Sequence, residues 1–425
     1  MLIQNGHQQL QDFTNKNYKQ TITEVTKGVW FVLGLGHSNA IFIEAGSSVI
    51  LIDTLDTRER GEKLLNLIRQ NTQKEVGTII YTHGHPDHRG GAGAFMDSRP
   101  EIIAFAPAAP ALEKTGLLQD IQNLRGARQF GYPLTDQEAI SQGIGPREGI
   151  THGEHRAFVL PTTLYEQDKV SREIDGVQLE MVRLPGESEE EIMIWLPQKK
   201  VLCCGDNFYG CFPNLYAIRG GQYRDLAAWI HSIDVLMSYP AEYLLPGHTA
   251  AILGHETISS TLGNFRNAFE YILTQTLEGM NAGKTADQLA ADIQLPPEYA
   301  GLPYLAEHYG CVEWTVRSIY SAYLGWFDGN PTHLHPLSPE EHSQKMIALI
   351  GGVQTVLDAA KTALSHKEYQ WCLELCDLLL SNGNSAKEEV LHLKASSLEK
   401  LAEYETSANG RHYYLECAKE LRNSR

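Results

Sequence analysis

The sequence predicts an α/β domain followed by an all-α half, and three observations predict it. Short β-branched runs bounded by Gly, Pro or Asp recur up to about residue 250. They alternate with stretches of helical period, and after about residue 256 only the helical periods continue. Three histidines and an aspartate crowd the end of one apolar run, where a sheet presents its functional loops.

At 425 residues the chain exceeds one typical core, and the change of period divides it into 1–255 and 256–425. A 42% apolar share is ordinary for a globular protein. The formal charge of −17 argues against nucleic acid as a partner, because phosphate binding needs a basic footprint. It also opposes long-range steering of an anion, so an anionic substrate must be caught by local positive charge. No run of 18 or more apolar residues occurs, and membrane insertion is not expected. The first residues, Met1 to His7, lack the basic and apolar regions of a leader. Seven cysteines, an odd number without CxxC spacing, do not suggest a disulfide framework. A cytoplasmic location is the resulting expectation.

Residues 1–22 are rich in Gln, Asn and Lys without a clear period, and read as a solvated arm suited to an oligomer contact. Strands are expected at 29–33, 40–44 and 48–53, with Gly34, Gly36 and Gly46 as turn residues. Residues 57–70 set Leu64, Leu65 and Ile68 on one side of a helix. A strand at 76–81 leads into the histidine cluster and then a Gly-rich helix entry at 90–93. After a strand at 101–106, residues 107–161 read as an irregular excursion with a helix near 117–130. Such excursions commonly wall a binding site. Strands resume at 177–182, 192–196 and 201–204, followed by a helix at 222–237 and a short strand at 243–245.

Helices are expected at 256–280, 285–293 and 307–325. Ser338-Pro339-Glu340-Glu341 supplies an N-cap, a proline at the first helical position and a glutamate three residues on. From residue 353 onward, helical periods alternate with breaks at 381–384 and 409–410, a pattern resembling stacked helix pairs of the tetratricopeptide kind.

The chemistry is expected at Thr82-His83-Gly84-His85-Pro86-Asp87-His88. Neutral imidazoles and carboxylates are the usual ligands of a borderline-soft divalent ion. His83 and His85 share one side of an extended segment, while the following turn swings Asp87 and His88 toward a neighbouring point, so the spacing suits two ions. Further candidates stand at three later strand ends: Glu187 in Pro-Gly-Glu, Asp206 in Gly-Asp-Asn and His248 in Pro-Gly-His. Asp53, closing another strand, is a candidate to orient a ligand histidine. His37 and His255, lone histidines near glycines, read as loop residues.

This order of HxHxDH, strand-end acids and strand-end histidine resembles the metallo-β-lactamase superfamily, which implies an αββα sandwich with metals at one edge. Glu187 stands where most members have a third histidine, a mark of the alkylsulfatases, and it lies 206 − 187 = 19 residues before Asp206, the separation of the paired acids in that group. Asn214-Leu215-Tyr216-Ala217-Ile218-Arg219-Gly220 is similar to that group's sulfate-binding segment. Tyr323-Leu324-Gly325-Trp326-Phe327-Asp328-Gly329-Asn330-Pro331 is similar to the signature of its helical dimerisation domain. The resemblance runs from about residue 28 to 422.

It implies a binuclear hydrolase of sulfuric esters with two divalent ions, zinc by expectation. His83, His85 and Glu187 are assigned to the first ion, Asp87, His88 and His248 to the second, and Asp206 to both. Asp87 and Arg219 are the expected catalytic residues, and Asn214, Tyr216 and Arg219 the substrate contacts. A small anionic ester and a homodimer partner joined through the helical half complete the implication.

Four departures bear on the substrate. Asp206 replaces a glutamate, Ala217 replaces a hydroxyl residue, Phe130 replaces a tyrosine, and the chain ends before a sterol-carrier-like domain found in larger members. Two other readings are compatible with the motif: a hydrolase of another ester, lactone, thioester or phosphoester, and a non-catalytic dimeric scaffold.

Overall fold

The apolar runs pair in chain order into two sheets. The first takes β1 (Thr21–Thr26), β2 (Val29–Leu33), β3 (Ala40–Glu44), β4 (Val49–Ile52), β5 (Val76–Ile80), β6 (Glu101–Phe105) and β7 (Thr163–Tyr165). Its strands are antiparallel as far as β4 and parallel from β4 to β7. The second takes β8 (Lys169–Ile174), β9 (Val177–Arg183), β10 (Ile192–Leu196), β11 (Val201–Gly205), β12 (Tyr243–Pro246) and β13 (Ile252–Leu253). Only its β11–β12 pair is parallel. The structure, a computed structural model, describes residues 5–107, 114–382 and 387–423.

Side-chain alternation decides the layers. Ile41 and Ile43 of β3 point between the sheets, where they meet Leu179, Met181, Ile192 and Ile194. Phe42, between them, faces the other way and packs with Leu51 and Ile79 against Leu64 and Ile68 of the helix Arg58–Asn71. On the outer face of the second sheet, Met193, Leu202 and Leu244 bury against Trp229 and Ile233 of the helix Leu226–Met237. Each fully buried side chain of this kind contributes roughly 1.5–3 kcal/mol. The result is the αββα sandwich, followed by the all-α region. The two are continuous in packing, since the outer core runs on through Phe265 and Phe269 of the helix His255–Asn281 to Val316 and Ile319 of Val312–Leu324.

Several elements differ from the sequence reading. The described part of the 1–22 arm is a docked helix, Gly6–Asn17, capped by the Asn5 side chain. Leu10 is fully buried, Thr14 Oγ1 donates to Ser141 at 2.8 Å, and Phe13 stacks on His308. One leucine and one phenylalanine a turn apart anchor it, too few to show as a period. Strands β1, β7 and β8 escaped for a related reason: their residues are mostly exposed or half-buried, and their sequences are correspondingly polar. The excursion at 107–161 is more regular than expected, with helices Gln119–Phe130 and Asp136–Ala139, the latter opened by a Thr135–Glu138 capping box; residues 108–113 lie outside those described.

In the helical half, Ser338 accepts from the Glu341 amide at 3.2 Å and opens Pro339–Ile350. Helices Val353–Ser365, Tyr369–Ser381, Lys387–Tyr404 and Ala408–Asn423 follow. The last break is at 405–407 rather than 409–410, because Asn409 and Gly410 form the first turn of the final helix. Of the break at 381–384, Gly383 and Asn384 lie outside the described residues.

Candidate metal centre

Two parallel strand pairs bring the candidate ligands to one edge. β4 runs alongside β5, and β11 alongside β12, so the loops after all four open on the same side. Asp53 follows β4, His83 to His88 follow β5, Asp206 follows β11 and His248 follows β12. Glu187 joins them from the loop between β9 and β10. The sheets are tied at this edge by the Ile192 amide donating to the Thr82 carbonyl at 2.9 Å and the Asn39 amide donating to the Gly247 carbonyl at 2.7 Å. Gly247 is required: a Cβ there would stand 2.2 Å from Asp206 Oδ1. Asp53, Leu55 and Thr249 adopt positive φ without being glycine (58°, 66° and 64°), so backbone strain gathers at this edge, as is common beside functional sites.

The side chains form three overlapping groups, one of them His37, Asp87 and His248. In another, His83, His85, Glu187 and Asp206 bring their ligand atoms within 4.8 Å of one another, and in the third His88, Asp206 and His248 do the same. Asp206 Oδ2 belongs to these last two, lying 3.7 Å from His83 Nε2, 3.4 Å from His88 Nε2 and 3.3 Å from His248 Nε2. Asp87 Oδ2 is 3.4 Å from His88 Nε2 and 3.3 Å from His248 Nε2. An ion with tetrahedral bonds of about 2.0–2.1 Å spaces its ligands about 3.3–3.4 Å apart, so the four separations of Asp206 and Asp87 from His88 and His248 fit one divalent ion. Moreover, His88 Nε2, His248 Nε2 and Asp206 Oδ1 are buried without a hydrogen-bond partner among the described residues. Buried polar atoms left in this way call for a ligand.

The electrostatics point the same way. Burial disfavours charge at His88 and His248, yet the Asp206 and Asp87 carboxylates raise both, His248 to about 10. Burial likewise opposes charge on Asp206 and Asp87, but the facing imidazoles hold both carboxyls well below the usual range. A divalent ion therefore competes with protons for these lone pairs. His83 differs, because burial and the neighbouring imidazoles of His88 and His85 lower it well below its ordinary value. His88 is aimed by Asp53, whose Oδ2 is 2.7 Å from its Nδ1 and whose Oδ1 accepts from the Thr82 amide at 2.8 Å.

Above the groups lies a cavity of about 490 Å³, lined by His85, Asp87, Glu187, Asp206 and His248 together with Asn214 and Arg219. A second cavity of about 550 Å³ adjoins it past His85 and Glu187, and Arg219 reaches both. Asn214 is buried with its Oδ1 unpartnered among the described residues. Arg219 is fixed by its backbone amide on Gln129 Oε1 at 2.7 Å, while its guanidinium makes only a long contact, 3.5 Å, to the Gly220 carbonyl. Tyr216 is half-buried and lines neither of these two cavities. Phe130 lines the first cavity and Ala217 the second.

Four residues here were not singled out by sequence. Arg224 Nη1 lies 2.6 Å from Glu187 Oε1, and Tyr209 donates its hydroxyl to the same oxygen at 3.0 Å. Burial opposes charge on Glu187, but Arg224 holds its carboxyl below the usual range. Glu191 accepts from the backbone amides of Asp206 at 2.5 Å and Glu187 at 3.0 Å, so one side chain braces both acidic ligands. Tyr309 brings a ring from the helical half to the cavity wall. Glu191 sits in an acidic run and Tyr209 in an apolar one, and neither setting distinguishes it. His37, read above as a loop residue, does lie in the loop between β2 and β3 and is 4% exposed there against Asp87 and His248.

Comparison with known proteins adds the wider frame. Residues 33–248 match the metallo-beta-lactamase superfamily model, and residues 285–424 match the alkyl sulfatase dimerisation model. The chain is 33% identical to a linear primary-alkylsulfatase of Pseudomonas sp., over 89% of this chain and 73% of that one. It is 31% identical to an alkyl/aryl-sulfatase of Saccharomyces cerevisiae, covering 94% of this chain and 63% of that protein. The solved structure of a stereoselective inverting sec-alkylsulfatase from Pseudomonas sp. superposes with a TM-score of 0.88 at 28% identity, over 99% of this chain and 68% of that one.

Proposed function

Since the chain belongs to the metallo-β-lactamase superfamily, in its alkylsulfatase branch, we propose that it is a binuclear metal-dependent hydrolase of alkyl sulfate esters. The observation that carries this reading is Arg219. It reaches both cavities beside His85 and Glu187, and among the described residues its guanidinium has no carboxylate partner. In a chain of net charge −17, an uncommitted cation beside the candidate metal ligands is the local capture point that an anionic ester needs.

His83, His85, Glu187 and Asp206 would hold one ion, and Asp87, His88, His248 and Asp206 the other. Two divalent ions, zinc by preference for this nitrogen and oxygen donor set, would lower the pKa of water toward neutrality and so supply a nucleophile. Arg219 forks onto two sulfate oxygens and offsets the charge of the leaving sulfate. Asn214 orients the ester from the cavity floor through its side-chain amide. Phe130 and Ile144 give the organic part an apolar wall. The outer side of the helix Gln119–Phe130 exposes Ile121 and Leu124, an apolar approach for an alkyl tail.

The proposal extends to organisation. The domain division proposed is 255/256, one residue into the helix His255–Asn281 that follows β13. The helical half joins two copies, with the exposed Trp326, Leu334 and Leu337 as contacts. A reducing, cytoplasmic setting suits seven cysteines of which none is paired. No single described helix is long and apolar enough to cross a membrane.

The test is sulfate release from primary and secondary alkyl sulfates of graded length, with ester, lactone and β-lactam controls and an Asp87→Ala protein alongside. Sulfate release by the wild type that Asp87→Ala abolishes supports the reading. Activity confined to the non-sulfate esters refutes it.

A further inference from the structure

We propose that His37 is an additional metal ligand, offering its Nε2 beside Asp87 and His248. The inference rests on the binuclear reading above and adds a residue to that site. His37 lies in the loop between β2 and β3, away from every motif that supplies the other candidate ligands. It is nevertheless buried, lines the same cavity, and packs its ring 5.1 Å from that of His248.

Its tautomer follows from its contacts. Nδ1 lies 2.9 Å from the Pro146 carbonyl, which can only accept, so Nδ1 carries the hydrogen and the neutral ring keeps a lone pair on Nε2. That lone pair is 4.0 Å from Asp87 Oδ2, and the ligand atoms of His37, Asp87 and His248 lie within 4.8 Å of one another. Two ligands of one ion with bonds of about 2.0–2.1 Å can stand no more than about 4.1 Å apart, and 4.0 Å lies within that reach.

His88 and His248 are built alike. His88 Nδ1 is held by Asp53 and His248 Nδ1 by the His37 carbonyl at 3.1 Å, leaving both Nε2 atoms to converge. Fixing the outer nitrogen in this way is how proteins usually orient ligating histidines. The loop around His37 is shaped to hold it. The His37 amide donates to Asp56 Oδ1 at 3.1 Å, and a Cβ on Gly145 would fall 1.9 Å from the His37 carbonyl oxygen. With His37, a third imidazole joins those of His88 and His248 around this position.

The test titrates cobalt(II) into the chelator-stripped full-length chain and follows the hyperfine-shifted, exchangeable ring N–H resonances. Three such signals, from the buried Nδ1–H groups of His37, His88 and His248, are expected to grow in with the second equivalent. In His37→Gln one should vanish, and affinity for the second equivalent should fall at least about tenfold, with the first unchanged. Two signals in the wild type, or second-ion affinity unaltered in His37→Gln, overturns the role of His37. A wild-type chain that binds one equivalent only overturns the binuclear reading itself, a different result. Should His37→Gln not fold, the wild-type signal count still decides.

Discussion

Arg224 sets its guanidinium 2.6 Å from Glu187 Oε1, with both side chains almost wholly buried. Glu187 brings a negative charge to the buried cluster it forms with His83, His85 and Asp206. Arg224 supplies the compensating charge from behind, and Tyr209 adds a hydrogen bond to the same oxygen. The other carboxylate oxygen, Oε2, stays directed at His85, 3.4 Å away. One acid thus serves an arginine with one oxygen and the candidate ligand His85 with the other.

Removing that arginine is expected to be costly. Arg224→Ala leaves a buried carboxylate unpaired, and loss of one partner of a buried pair typically costs about 3–5 kcal/mol. Chemical denaturation of the chelator-stripped protein should show it, with a smaller loss once divalent ions are added, because an ion takes over part of the neutralisation. A loss below about 1 kcal/mol in both conditions contradicts this account of the pair.

Arg219→Ala is expected to lower kcat/KM on the alkyl sulfate at least about tenfold, which is ~1.4 kcal/mol of transition-state stabilisation. Arg219→Lys should recover only part of it, since a lysine restores charge without the two-pronged geometry. Steady-state kinetics of both variants provide the check, and a full recovery with lysine rules out the fork.

Asp53→Ala should loosen His88. The Asp53 carboxylate is the acceptor 2.7 Å from His88 Nδ1, and outer partners of this kind typically change metal affinity or activity about 10–100-fold. Competition against a graded chelator measures it. Equal affinity in wild type and variant leaves Asp53 a turn residue only.

Stripping divalent ions with a chelator should abolish hydrolysis, and their return should restore it. Because the Asp206 and Asp87 carboxylates favour a proton on His248 up to about pH 10, ion binding near neutrality should release protons. Calorimetry in buffers of different ionisation enthalpy reads the number released. Buffer-independent heats speak against protonated imidazoles at this site.

A separate pH response is expected where the final helix meets the excursion. His412 is fully buried, with its ring nitrogens 3.0 Å from the Gln129 carbonyl and 3.1 Å from the Ala139 carbonyl. Burial lowers it to about 4, so the unfolded chain binds a proton below about 6.5 that the folded chain refuses. Stability is therefore present above pH 6.5 and falls as pH drops toward 4, by roughly 1–3 kcal/mol. Melting temperature against pH should show this slope, and His412→Gln should flatten it.

The sequence was most legible where one residue type repeats with one period. Strands buried on both faces, such as Val49–Ile52, announced themselves, as did the HxHxDH loop and the ends of β11 and β12. The elements that escaped are polar ones held by a single anchor: the helix around Leu10, and the half-exposed strands β1, β7 and β8. Asp53 could be proposed because it closes a strand, whereas Glu191 could not, because its neighbours Glu189 and Glu190 look the same in the chain.

By itself, then, the sequence determined the α/β-then-α order, the family and the candidate ligands of the HxHxDH loop and the later strand ends, because each is written in local spacing and residue type. Tertiary structure alone decided which of those groups meet. Only the parallel pairing of β4 with β5 and of β11 with β12 brings loops from residues 53 to 248 to one edge. Arg224 faces Glu187, and His37 faces Asp87, across separations that no local pattern encodes. Tyr216 sits two residues from Asn214 in the chain, and the fold of that segment turns Asn214 to the cavity and leaves Tyr216 out. Contacts between distant residues depend on how the layers close, and side-chain chemistry in sequence order does not hold that information.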